Sequence, residues 1–172
     1  KNLHGVKLHQ LYFGRYLLFF VLGQIQALVV VLGDIYLLHC QILDKGLFWF
    51  TASLTSFVFT LLVYSLTLSF GDIGKAVAVV IMVIQIAGSG GTFPIELLPS
   101  VYRNIYIFFP FPYAINAMRE TIGGMYGNMY VKSLLQLMIF AVAALVLGLV
   151  IRKPFIKWNH FVEKRMEDTK MM

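Results

Sequence analysis

The sequence predicts an all-α polytopic membrane protein with four transmembrane helices. Two further short re-entrant or interfacial helices are expected on the outer side, between the third and fourth spans. Three observations carry that prediction. Of 172 residues, 59% are hydrophobic and 13% charged, with mean hydropathy +0.80, whereas soluble domains are about half apolar and about a quarter charged. The apolar residues form four long runs. Between the last two stands "QIAGSGGTFPIELLPS", Gln85 to Ser100, where three glycines and two prolines interrupt sequence that stays apolar on both sides.

A hydrocarbon core of about 30 Å takes about 20 helical residues. Residues 16–38 meet that length with Gln24, Gln26 and Asp34 as their strongly polar members, and residues 47–70 meet it without a charge. Residues 76–93 are shorter and run into the glycine cluster; residues 133–151 close at Arg152. Residues 16–153 are therefore the expected membrane domain, with flanks at 1–15 and 154–172. Lys1 follows no signal pattern, so the chain is expected to be the C-terminal part of something longer.

Lys and Arg gather on cytoplasmic flanks. With both termini inside, ten basic residues lie in the cytoplasm and only Lys45, Arg103, Arg119 and Lys132 face out. The tail "RKPFIKWNHFVEKRMEDTK" carries six basic and three acidic residues, with Phe155, Trp158 and Val162 at helix-like spacing. It reads either as a membrane-surface helix drawn to anionic lipid or as a solvated tail that sets topology. The net charge of +6 thus points to the lipid bilayer as partner and not to nucleic acid.

Gly88, Gly90, Gly91, Pro94 and Pro99 form the expected re-entrant hinge. Glycine removes bulk, and proline lacks the backbone donor. Non-helical backbone at membrane depth needs cover from protein or a wet cavity. The segments that follow, about 94–109 and 112–124, are too short to cross. The second has a helical start at Pro112 and a Gly123-Gly124 stop, and "FFPFPY" between them supplies interfacial aromatics. A plain surface loop is the competing reading.

No catalytic or cofactor pattern is found. The glycine cluster has Gly88 and Gly90 at the first and third places of a dinucleotide fingerprint but Phe93 at the sixth, and no Gly-Lys-Ser/Thr follows. Cys40 is the single cysteine, the four histidines are scattered, and Asp34, Asp44, Asp72 and Glu96 lie apart. The chain is expected not to be an enzyme, with no cofactor and no metal. Polar residues within the membrane are the remaining candidates, since charge in lipid is costly. Gln26, Asp34, Gln85 and Arg119 are read as pathway or helix-pairing groups; for Asp34 a headgroup contact competes, and for Arg119 a solvated helix face. In the second span Ser53, Ser56, Thr60, Tyr64 and Thr67 share one face and Thr51, Thr55, Ser65 and Ser69 the other, which suits close packing on both sides. Ala144 and Gly148 form a small-xxx-small pair that permits close helix approach. Leucine at Gly90 and Gly91 is expected to do more damage than at Gly148.

The phrases "GSGGTFPIELLP" and "FPFPYAINAMRETIGGMYG" resemble the C-terminal membrane region of the YhgE/Pip (phage-infection protein) family, within the ABC type-2 permeases. "GQIQALVVVLGD" (Gly23–Asp34) and "SFGDIGKAVAVV" (Ser69–Val80) extend the likeness upstream. The resemblance implies the last four spans of a six-span permease fold in the bacterial plasma membrane. It implies a homodimer or pseudo-dimer and a separate ATP-binding cassette subunit, for which residues 1–15 are the candidate coupling segment. It leaves two functions open: an exporter's permease domain, or a non-transporting anchor for a large extracytoplasmic domain, used in a secretion apparatus or by phage.

Overall fold

In the computed structural model, residues 8–88, 90, 91, 97 and 100–151 are described. Pro94 and Pro99 of the expected hinge, and the tail 154–172, lie outside the described residues. Helix α1 spans Leu8–Leu32 and continues through a wide π turn, Gly33–Leu37. It begins two turns before Tyr16, the expected edge of the first span. Tyr12 is 1% exposed against neighbouring helices, so packing keeps helical a stretch that hydropathy leaves out.

Helix α2, Lys45–Gly88, has 44 residues and would reach about 66 Å if straight, twice a bilayer core. It is not straight. Gly71 has φ 61° and ψ −131°, a conformation closed to residues with a Cβ. Beyond it the chain turns back. A Cβ on Gly74 would overlap the Leu66 carbonyl, and Leu62 and Phe59 share one cavity wall with Ala78 and Met82. The two arms, 45–70 and 72–88, therefore lie antiparallel. The second arm ends at Gly88, short of the expected residue 93, and begins before the expected 76.

Helix α3, Ser100–Ile105, passes into a 3-10 turn, Tyr106–Phe108. Helix α4, Phe111–Gly123, follows with proline in its first turn and Gly124 at φ 101° beyond its end, one residue from the start and stop the sequence marks. Helix α5, Met129–Val146, runs on through a second π turn, Leu147–Ile151, and so starts four residues before the expected 133. No strand occurs among the described residues.

Three of these helices are long and apolar enough to cross a membrane: His9–Leu37, Lys45–Gly88 and Met129–Val150. Only 17–28% of their most apolar windows is buried. Leu17, Leu18, Val29, Leu135 and Ile139 are exposed, while Thr51, Ser65, Ser69 and Thr121 are 0–1% exposed. Aliphatic outside and hydroxyl inside is stable in hydrocarbon, where apolar surface has nothing to gain by burial and polar groups must find partners.

Candidate functional site

The site is built on the seam between α1 and the first arm of α2. Tyr12 Oη pairs with Ser65 Oγ at 2.7 Å, and Tyr64 Oη donates to the Tyr12 carbonyl at 3.0 Å. Tyr16 Oη lies 3.2 Å from Thr60 Oγ1, Ser56 Oγ donates to the Gly23 carbonyl at 2.8 Å, and Gln24 bonds both the hydroxyl and the carbonyl of Ser53. The pairs step along the two helices in opposite directions, which fixes them antiparallel. Gly23 allows the approach, since a Cβ there would come within 2.9 Å of Ser56 and Thr60.

The other face of the same arm packs on α5. Thr51 Oγ1 meets Tyr130 Oη at 2.9 Å, and Ser69 Oγ donates to the Leu147 carbonyl at 3.1 Å. Both polar faces of the second expected span thus bond to neighbours, as close packing requires, with the Thr55 hydroxyl left over. The small pair of α5 is spent in the same way. Ala144 is 1% exposed within the core cluster that holds Tyr12 and Tyr16, and a Cβ on Gly148 would meet the Tyr12 ring at 2.5 Å. This overturns the expectation as it concerns the exposed Gly91, and puts Gly148 beside the buried Gly90 as a closed position: the close approach is between α5 and α1 of one chain.

α4 reaches from the middle of the bundle to one end. Phe111 stacks edge-on against Phe59, and Tyr113 lies beside Phe140. At the other end of α4 the Thr121 carbonyl accepts from the Asp44 backbone N–H at 3.3 Å. Asp44 also caps α2, its Oδ1 accepting from the Leu47 N–H at 3.0 Å, as an N-cap aspartate does. Sequence reasoning missed this junction, although Asp44 directly before an apolar helix was the signal.

The hinge meets α4 through Arg119, whose guanidinium donates to the Gly90 carbonyl at 2.7 Å. Gly90 is buried at φ 74°, whereas Gly91 is exposed. Gln85 is 2% exposed on the second arm of α2; its Nε2 donates to Met82 Sδ at 2.9 Å while its Oε1 has no partner. Gln26 is exposed and lines a cavity of about 570 Å³ between α1 and α2, whose walls include Phe19, Thr60, Tyr64 and Lys75. Asp34 is half-buried in the π turn, with its carbonyl accepting from the Cys40 N–H at 3.0 Å. The structure therefore brings Arg119 to the hinge and Gln85 into the interior, and leaves Gln26 and Asp34 apart from both.

A bundle of long lipid-facing helices, a backbone break and a short helix clamped to a glycine turn define an integral membrane domain. Residues 2–150 match the model of the ABC-2 family transporter proteins, and the chain belongs to that family. Over 120 residues it is 32% identical to "Uncharacterized protein YhgE" of Bacillus subtilis (strain 168), an alignment covering 69% of this chain and 16% of that protein. The chain thus spans about one-sixth of the length of the curated relative it matches. No solved structure matches.

Proposed function

We propose that this chain is a permease domain of an ATP-driven exporter in the bacterial plasma membrane, forming the last four spans of a six-span fold. The match over residues 2–150 to ABC-2 transporter proteins carries the reading. The four crossings are residues 8–37, the two arms of α2, and 129–151. The return at Gly71 supports counting α2 twice. The start of α4 beside Phe59, some 14 residues or about 21 Å along the first arm from Lys45, supports a re-entrant path for the segments around α3 and α4. Both termini face the cytoplasm in this arrangement. The chain is not itself an enzyme; energy comes from a separate ATP-binding cassette subunit, and the working unit is a homodimer or pseudo-dimer.

Purification of the full-length protein from native membranes is expected to bring down a cassette subunit with nucleotide-dependent ATP hydrolysis sensitive to vanadate. Isolation in stoichiometric assemblies that lack any hydrolysing subunit would overturn the exporter reading.

A further inference from the structure

Two buried polar atoms among the described residues have no hydrogen-bond partner, Thr55 Oγ1 and Gln85 Oε1. An unmet buried acceptor or hydroxyl costs stability and calls for a reason. The two belong to facing helices. The arms of α2 run antiparallel with Leu66 against Gly74 and Phe59 beside Met82, so one turn further from Gly71 brings Thr55 and Gln85 to the same level. That level is 10 residues, or about 15 Å, from the Lys45 end of the helix, near the middle of a core about 30 Å thick.

Each of the two residues lines a cavity. Gln85 lines one of about 140 Å³, closed by the Phe108–Pro110 turn, and Thr55 lines one of about 520 Å³ that also holds Gln26. Phe59 and Met82 border both, and among the described residues no charged side chain lines either. Two adjoining apolar concavities, each with few polar groups, have the usual make-up of a small-molecule site.

We propose that this level of α2 recognises the transported molecule, and that this molecule carries an uncharged hydroxyl or amide head on an apolar body. The head donates an O–H or N–H to Gln85 Oε1 and exchanges a hydrogen bond with the Thr55 hydroxyl. The aromatic and aliphatic walls take the hydrocarbon. A carboxylate, phosphate or ammonium head meets no counter-charge among the described residues here and is disfavoured by its desolvation. The inference rests on the permease reading and narrows it to a substrate class.

The test is equilibrium binding of radiolabelled monoolein, a neutral diol on an oleoyl chain, to the full-length protein in nanodiscs, with oleate as competitor. Saturable monoolein binding that oleate does not displace is expected. Thr55→Val and Gln85→Leu should each weaken it roughly five- to tenfold, the loss of one hydrogen bond. Their unfolding midpoints should hold or rise, because an unpaired polar atom has been removed. Binding that is absent, displaced equally by oleate or unchanged in both variants overturns the proposal. Midpoints that fall in both variants with binding unchanged also overturn it and assign the two atoms to a bridging structural water. Failure of a cassette subunit to co-purify sinks the exporter reading alone, while loss of preference for the neutral head sinks only this inference.

Discussion

At Tyr12 one side chain joins three helices: its hydroxyl bonds Ser65 of α2 while its ring covers Gly148 of α5. Leucine at Gly148 has to push that ring out of a closed contact, and overpacking of this kind costs about 1–3 kcal/mol. Gly90→Leu also carries a cost, because the position is buried and left-handed, while the exposed Gly91 has room for a side chain. The unfolding midpoint in detergent is therefore expected to fall for Gly148→Leu and Gly90→Leu and to stay close to wild type for Gly91→Leu. Equal midpoints for Gly148→Leu and Gly91→Leu would count against the Tyr12 contact. The spacing of Ala144 and Gly148 was readable as a close-approach motif. That its partner is an aromatic ring on α1 was not, because spacing names a face and never what lies against it. Arg119 is similar: its charge marks it as unusual, yet its bond to the Gly90 carbonyl depends on a chain reversal 29 residues away.

At the scale of elements the decisive feature is the break in α2. "SFGDIGK" reads as a short turn between two spans, and the structure places the reversal at Gly71. Alanine there must adopt φ 61° with ψ −131°, which costs about 1–3 kcal/mol for a residue with a side chain. Gly71→Ala should lower the unfolding midpoint, whereas Gly14→Ala, where an added Cβ meets nothing within 4 Å, should not. Beside the break Lys75 Nζ donates to Asp72 Oδ1 at 2.8 Å. The hydrogen bond from Lys75, followed by its charge, holds the Asp72 carboxyl below the ordinary value of 3.8. A lowered acid stabilises the fold above its unfolded pKa and loses that contribution as pH falls through the folded one. Both side chains are mostly exposed, so screening leaves the pair little weight. Asp72→Asn should leave the midpoint unchanged from pH 5 to 8 and erase only a small acid-side slope below about pH 4.

For the whole molecule, the N-terminal end of α1, the Gly71 turn and the end of α5 gather at one pole, tied by Tyr12, Ser69 and Leu147. The Asp44 junction and the end of α4 form the other pole. With the first pole cytoplasmic, and with Cys40 and any other native cysteine of the full-length protein replaced by serine, a cysteine replacing Met125 should react with an impermeant thiol reagent added outside, and one replacing Asn159 only after permeabilisation. The reverse pattern would invert the topology. Composition and run length by themselves determined that hydrocarbon surrounds this polypeptide and that its spans are helical, since a lone helix satisfies its own backbone in oil. The turn at the Gly-Asp pair and the glycine interruption were legible for the same local reason. Tertiary structure alone decided which helix the small residues of α5 touch, and that Thr55 and Gln85 stand at one level without partners. Those outcomes depend on register between distant segments, and a helical period repeats too regularly to choose one register over the next.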